Sequence, residues 1–574
     1  MKVPSQTLLV LGALLLSAHD LAAQTRQIAV RVDPMTASIK GLVTTADTGA
    51  PVRGAEVRLS SRGSYNRLVT TDAEGSFNLR DLPSGDYQLT VSRAGFTSAI
   101  FGQRRPLEAP KQIKLAEGES FTANVALTRG GAIRGRIVDE FGEPIAGTRV
   151  QVLRSRMVRG QRRLQSMGPG DQTDDMGEFR VYGLPPGDYY VTASTGPADS
   201  VRRDPPVYYP GSASFTEAQT INLALGTEAS ADFQLQPFRY ARISGTVFNA
   251  SGGPVQAMIQ LSSEAVGMGP SFERAGDPRA FTIAADSAAD GRFTIENVPP
   301  GPYTLTANSS FVAGLIAGRE ARNPDAGPIR EMQDVMERGP ETAFLPIVVA
   351  GEDISGIALT TRRGGVLSGT FVADSGVVRP LPQGLSADVR STSDASGMRM
   401  TQGGRDNRFR VVGMIGPFYL DITGVPDGWA VRQITVDGND MTDEAIDLKG
   451  TNATARVVLT DRITTISGLV QARRERSGYS VVVFPDDPAR WTYPTRYVRT
   501  VRADDQGRFS IAGVPANERY YAVAVDYLEE GEEQDSQFLE RLRGQAITFA
   551  LGEGEQRSIV LDPVARSRGS EVAR

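Results

Sequence analysis

Apolar and polar residues alternate along most of the chain, and Gly, Pro or Asp cuts the alternation at short intervals. Period-two alternation bounded by turn residues predicts half-buried strands joined by tight turns. The clearest stretch is 173–191, TDDMGEFRVYGLPPGDYYV. Asp174-x-x-Gly177 is a turn signal, because Asp caps the turn with its side chain and Gly supplies positive φ. Phe179 and Val181 then point one way along a strand. Leu184-Pro-Pro-Gly187 reverses the chain, and Tyr189 and Val191 begin the next strand with the same spacing. The Leu-x-Pro-Gly-x-Tyr order is also that of a tyrosine corner, in which the phenol bonds back to nearby backbone.

The same unit recurs as Asp72-x-x-Gly75-x-Phe77 with Leu82-Pro83-x-Gly85-x-Tyr87, and as Asp290-Gly291-x-Phe293 with Pro299-Pro300-Gly301-x-Tyr303. A further copy is Asp504-x-x-Gly507-x-Phe509 with Val514-Pro515 and Tyr521. A worn one keeps Asn407-x-Phe409 and Gly416-Pro417-x-Tyr419. Each copy follows an opening strand: Ile39-x-Gly41-x-Val43, Ile133-x-Gly135-x-Ile137, Ile243-x-Gly245-x-Val247, Leu367-x-Gly369-x-Phe371 and Ile466-x-Gly468-x-Val470. Each closes on an alternating strand pair about a Gly, as in Ile113-x-Leu115, Gly118 and Val125-x-Leu127. A repeat covers roughly 85–115 residues, the size of an independent β-sandwich.

The fold class expected is therefore all-β, with five tandem Greek-key sandwiches. The boundaries read 37–128, 129–237, 238–362 with an insertion at 311–341, 363–461 for the divergent copy, and 462–563. Residues 24–36 form a leader and 564–574 a solvated tail. The joints at 128–131, 237–239, 360–364 and 460–462 are short, which limits swing between neighbours. A stiff or gently bent, elongated array follows from that.

Three segments stand outside the repeat. The basic stretch 154–170 reads as a long hairpin loop. Residues 329–338, inside the third-repeat insertion, and 534–543, with Phe538, Leu539 and Leu542 on one face, read as short helices or, more plainly, as packed loops. The acidic run 529–533 with Asp535 reads as a solvated loop.

Composition narrows the class. Gly 61 and Pro 34 in 574 residues suit many short strands, and 40% hydrophobic residues suffice for globular cores. The net charge is −5 and cations are scattered, which argues against nucleic acid as partner. Residues 1–23 read as a Sec-type secretory signal, with Lys2, an apolar run at 8–16 and cleavage expected after Ala23. That run is too short for a membrane span, and no later segment reaches transmembrane length. The product is expected in the periplasm, in the medium or at the cell surface. There is no Cys, so neither disulfide nor lipid-modified Cys is available.

The combined motifs, Ile-x-Gly-x-Val, Gly142-x-Pro144-Ile145-x-Gly147, Asp-x-x-Gly-x-Phe and Leu-Pro-x-Gly-x-Tyr, resemble the carboxypeptidase regulatory-like domain. The resemblance is carried well by repeats one, two and five, by three with an insertion, and by four in part. It implies a transthyretin-like (prealbumin-like) Greek-key sandwich, grouped with carbohydrate-binding-like and collagen-adhesin B-type folds. It implies no peptidase activity, since the domain is an accessory in enzymes and stands without one in exported proteins. The Lys–Asn isopeptide bond of the adhesin relatives would need Lys40, whose counterparts are Arg134, Ser244, Ser368 and Ser467; none is expected.

Catalytic chemistry is poorly supplied. The one His is His19, inside the signal. A mature chain without His or Cys lacks Ser-His-Asp and Cys-His catalysis and His-ligated zinc. A carboxylate pair is the remaining route, and the sandwiches leave no further domain to hold one. No catalytic residue, metal site or cofactor is expected. The aspartates Asp72, Asp174 and Asp504 lack the ligand spacing of a calcium loop and read as turn caps. The candidate ligand-binding residues are aromatic with Arg beside them: Trp491, Tyr493 and Tyr497 with Arg490 and Arg496, and secondarily Tyr208 and Tyr209. Such faces stack on sugar rings or grip an extended peptide; the competing reading is that they cover the ends of their own sandwiches. Trp429 reads as core. The function expected is a non-enzymatic scaffold or adhesion protein of the cell envelope, with a carbohydrate-binding protein as alternative and accessory domains of a hydrolase as a second. Partners would be polysaccharide or an envelope protein.

Overall fold

The computed structural model describes residues 36–564, apart from 62–65, 159, 195–205, 213–214, 238, 264–281, 310–334, 336, 393–399, 404–405, 472–477 and 493–494. The signal, most of the leader, the tail and the helix read at 329–338 lie wholly or largely outside those residues. The described residues form five β-sandwiches in sequence, each with its own apolar core. None of their helices is long and apolar enough to cross a membrane.

One pairing defines each sandwich. The opening strand runs antiparallel to the strand that follows the Asp turn and parallel to the closing strand. In the first sandwich Ala37–Thr45 pairs antiparallel with Ser76–Leu82 and parallel with Ser120–Thr122 and Val125–Leu127. Gly131–Val138, Ala241–Phe248, Gly365–Ala373 and Thr465–Val470 repeat this in the other four. A parallel pair cannot be joined by a tight turn. The rest of the sandwich is the crossover, which ties its start to its end. The alternation read from sequence holds: Ile39 and Val43 are fully buried and Lys40 and Leu42 exposed.

The glycine of the opening strand has a steric cause. Between the two short closing strands the backbone at Ala123 bulges over Gly41 and donates its N–H to Lys40 O at 2.8 Å. A Cβ on Gly41 would lie 2.0 Å from Ala123 O; on Gly135, 2.1 Å from Ala231 O; on Gly468, 1.9 Å from Ile559 O. No larger residue fits.

The second sheet is built around the strand that begins at the corner tyrosine. In the first sandwich Gly85–Ser92 pairs with Glu56–Ser61 on one side and with Ala99–Ile100 and Ile113–Leu115 on the other. Thus Ile113–Leu115 and Val125–Leu127, which look like a hairpin about Gly118, belong to opposite sheets. The corner bond is present as Tyr87 Oη to Pro83 O at 2.8 Å, with counterparts from Tyr189 to Pro185 O and from Tyr303 to Pro299 O. In the fifth sandwich the corner residue is Tyr520, bonded to Pro515 O at 2.7 Å, rather than the expected Tyr521. One extra residue in 515–520 shifts the register, and Tyr521 turns outward to Asp486.

The fourth sandwich departs furthest. Phe418, not Tyr419, takes the buried position after Gly416-Pro417, so no phenol is available for a corner. Ala430–Val436 pairs antiparallel with Ala453–Thr460 and widens the first sheet to six strands, leaving Ser386–Ser391 and Phe418–Thr423 as the second. Trp429 is buried in this core.

The elongated path expected from short joints is not what forms. The fifth sandwich lies against the first and the second, so the chain closes on itself. Short joints fix the angle between neighbours, and here the fixed bends return the end of the chain to its beginning.

Candidate functional site

The basic stretch after Arg149 forms the hairpin Arg149–Val158 and Gln161–Gln172 in the second sandwich. The acidic stretch 526–535 leaves the strand Glu518–Val525 of the fifth sandwich as a loop with a 3-10 turn at Glu532–Gln534. These two segments meet. Arg154 Nη2 donates to Glu529 Oε1 at 2.8 Å, with side chains 15% and 17% exposed. Arg156 donates to Glu530 O at 2.9 Å, and the Gly160 N–H donates to Gln534 Oε1 at 2.8 Å. Arg162 pairs with Asp535 at 2.8 Å. Gly531, at φ 88°, has no room for a Cβ, which would lie 2.3 Å from Met157 O.

The first sandwich supplies the other wall. Glu530 N–H donates to Leu107 O at 3.0 Å, and Glu108 and Glu529 form an antiparallel bridge. Tyr527 Oη donates to Pro106 O at 2.7 Å, and Arg105 lies over the Tyr527 ring. Glu108 is buried and accepts from Arg502 of the fifth sandwich at 2.5 Å. The acidic run is therefore not a solvated loop: the 154–162 hairpin of the second sandwich and residues 105–108 of the first hold it by charge and backbone bonds. The same seam touches the second tyrosine corner. Burial pushes the Tyr189 phenol up to about 12, against the lowering effect of neighbouring Arg154. Glu533 is half-buried, and desolvation raises its carboxyl above the usual range.

The aromatic residues singled out from sequence do not make a surface. Trp491, in the 3-10 turn Pro488–Trp491, is 2% exposed; its indole N–H donates to Pro485 O at 2.8 Å and its ring packs on Phe484. With Val482, Val523, Phe538, Leu539 and Leu542 it forms a second core outside the fifth sheet. The segment at 534–543 is indeed a helix, Ser536–Arg543, N-capped by Asp535, rather than a packed loop. Tyr497 is buried and donates to Asp443 of the fourth sandwich at 2.8 Å. Arg496 forks onto the same carboxylate at 2.9 and 3.2 Å, and Arg490 pairs with Glu518. Tyr497 and Arg496 thus join fourth to fifth sandwich, aided by Arg432 and Arg462, which both meet Asp374 and Glu553. Tyr208 is buried with Leu153, Leu164, Tyr190 and Phe215, and Tyr209 is half-buried against Phe233. Tyr493 lies outside the described residues. Large apolar rings leave water when a neighbouring face can cover them, as Trp491, Tyr497 and Tyr208 do here.

The aspartates cap turns. Asp72 Oδ1 accepts from the N–H groups of Glu74 and Ser76, Asp174 from Met176 and Glu178, and Asp504 from Gln506 and Arg508. Gly75, Gly177, Gly291 and Gly507 have φ of 73–82°. In the third copy Ala288 replaces the capping Asp, and Asp290 accepts only from Arg292 N–H at 3.1 Å. No group of three or more His, Cys, Asp or Glu that could hold a metal occurs among the described residues. One cleft, of about 340 Å3, lies where the first sandwich meets the second, between Gly95, Gly130, Gly183 and Gly226, with Tyr182 40% exposed on its wall.

With opening strand, Asp turn and corner bond in place, the comparison with known families has a definite object. Residues 38–128 and 132–236 each match the carboxypeptidase regulatory-like domain. The two matched stretches are the sandwiches that supply Leu107, Glu108 and the Arg154 hairpin to the seam. No curated protein sequence matches the chain. Among solved structures it is similar to the TIE protein of Bacillus anthracis, at 14% identity over 57% of this chain and 51% of that one, TM-score 0.15. It is also similar to a streptococcal ancillary pilin, at 12% identity over 57% and 98%, TM-score 0.21. A third is BcpA, the major pilin subunit of Bacillus cereus, at 10% over 57% and 99%, TM-score 0.13. The chain thus spans about half the length of the TIE protein.

Proposed function

We propose that the protein is an exported, non-enzymatic scaffold or adhesion protein of the cell envelope, built from carboxypeptidase regulatory-like and related sandwiches locked into one body. The observation that carries this reading is the fate of its reactive side chains. The most buried arginine–carboxylate pairs and a buried phenol join sandwiches rather than line an open site: Arg154–Glu529, Arg502–Glu108 and Tyr497–Asp443. Turns and loops, which vary without disturbing the cores, are left to meet partners. Export rests on the leader sequence alone. Fractionation of cells making a C-terminally tagged chain tests it: the mature protein is expected in the envelope or medium, starting at Gln24. A full-length product retained in the cytoplasm contradicts the reading.

A carbohydrate-binding role loses Trp491 and Tyr497, which are buried, and falls to the glycine-walled cleft with Tyr182. A glycan array comparing the wild type with Tyr182→Ala decides it: a signal lost in the variant supports sugar binding there, and no signal from either protein removes it.

A further inference from the structure

The seam of the fifth sandwich with the first two is lopsided in charge. Around the acidic loop one side presents Arg105, Arg154, Arg156 and Arg162 and the other Asp526, Glu529, Glu530 and Asp535, while the buried pair of Glu108 with Arg502 beside it runs the other way. None of the apolar clusters among the described residues spans it, for each stays within one sandwich. Interfaces without a shared core resemble transient ones, and the more exposed pairs of this seam, Arg105–Asp526 and Arg162–Asp535, are weakened by salt. What keeps such a contact closed is the tether, which holds the two sides at an effective concentration in the millimolar range.

The receiving side also reads backbone. Leu107 O accepts from Glu530 N–H, Arg156 donates to Glu530 O, and Glu108 bridges Glu529 in antiparallel fashion. These main-chain bonds between two loops hold the segment whatever its side chains are. Side-chain selection comes from Arg154 and Arg162, placed for carboxylates at 529 and 535. Leu107 sits at φ 69°, left-handed backbone that a branched residue adopts at a cost and that marks functional contacts.

We propose that the arginine-lined face of the first two sandwiches is a recognition site for an acidic peptide loop, occupied in the closed chain by residues 526–535 and open to an acidic partner once that segment is displaced. This does not depend on export or on a scaffold role.

The test uses the full mature chain with Glu529→Gln and Asp535→Asn, and a fluorescent synthetic peptide of residues 526–535. Circular dichroism checks that the sandwiches persist. The variant is expected to show a larger radius of gyration and to bind the peptide at least about tenfold more tightly than the wild type, whose tethered segment competes. Adding Arg154→Ala and Arg156→Ala abolishes that binding, and NaCl weakens it. A second variant, Arg162→Glu with Asp535→Arg, restores the crossed pair and stays closed. Equal peptide binding by wild type and the Glu529→Gln/Asp535→Asn variant, binding that survives loss of the arginines, a Glu529→Gln/Asp535→Asn variant that stays closed, or a charge-swapped variant that opens each overturns the proposal.

Discussion

Arg154 of the second sandwich and Glu529 of the fifth pair at 2.8 Å, although 375 residues separate them, and each side chain is more than four-fifths buried. Removing one member of such a pair leaves a buried charge without its partner, which costs far more than losing an exposed pair. The chain has no Cys, so Cys introduced at the exposed Glu117 and Gln506 can carry a donor and acceptor dye on first and fifth sandwiches. Arg154→Ala is expected to lower transfer efficiency sharply at 150 mM salt. Asp505→Ala, whose pair with Arg104 is 3.8 Å long and whose own side chain is 91% exposed, is expected to leave it unchanged. Equal effects would remove the buried pair from its place in closure.

The corner bonds separate local from long-range roles. Tyr303→Phe removes the bond to Pro299 O and should destabilise the third sandwich by about 1 kcal/mol, the net worth of a neutral hydrogen bond. Tyr189→Phe removes the bond to Pro185 O and also a neighbour of Arg154. Amide hydrogen exchange should report faster opening in the second sandwich and in 526–535 for Tyr189→Phe, and in the third sandwich alone for Tyr303→Phe.

Two glycines give opposite outcomes on gaining one methyl. Gly135→Ala drives a Cβ to 2.1 Å from Ala231 O and should cost about 1–3 kcal/mol, as overpacking does. Gly544, at φ −70° after the helix Ser536–Arg543, has open space around it. Gly544→Ala should be neutral or slightly stabilising, by less than about 1 kcal/mol. Thermal unfolding of the two variants checks the pair.

Much of the fold was legible because each motif has a local cause. Gly41, Gly135, Gly245 and Gly468 answer a carbonyl that leaves no room for a Cβ, and Asp72 answers two backbone N–H groups. Such causes act within one sandwich and so repeat with it. The burial of Trp491, one of the two readings open in the sequence, was also legible. Strand Ser480–Pro485 reads SVVVFP, and Val481–Phe484 are all buried. A continuous apolar run means both faces are covered, so a cover for the outer face had to exist, and Trp491 with the Phe538–Leu542 face is it. The seam was half visible. The basic hairpin and the acidic loop both stood out, but opposite charges at a separation of 375 residues name no partner. Their meeting depends on the angles of four joints, which leave no pattern in residue order.

Glu533 gives the seam a pH dependence of known sign. Burial raises its folded-state pKa. The stability this group contributes is therefore full below the unfolded value, about pH 4 for Glu, and is lost as pH rises through the folded value. Glu533→Gln should raise the melting temperature of the fifth sandwich at pH 7, with the difference vanishing below about pH 4. A difference that grows on acidification would mean that the carboxylate form is the favoured one.

Small-angle X-ray scattering of the mature chain at 50 mM and 1 M NaCl addresses the closed path most directly. At low salt the profile should fit a closed chain with the fifth sandwich on the first two, and at high salt, where screening reaches partly exposed pairs, the radius of gyration should rise. A long, rod-like distance distribution at 50 mM salt, unchanged at 1 M, would contradict it.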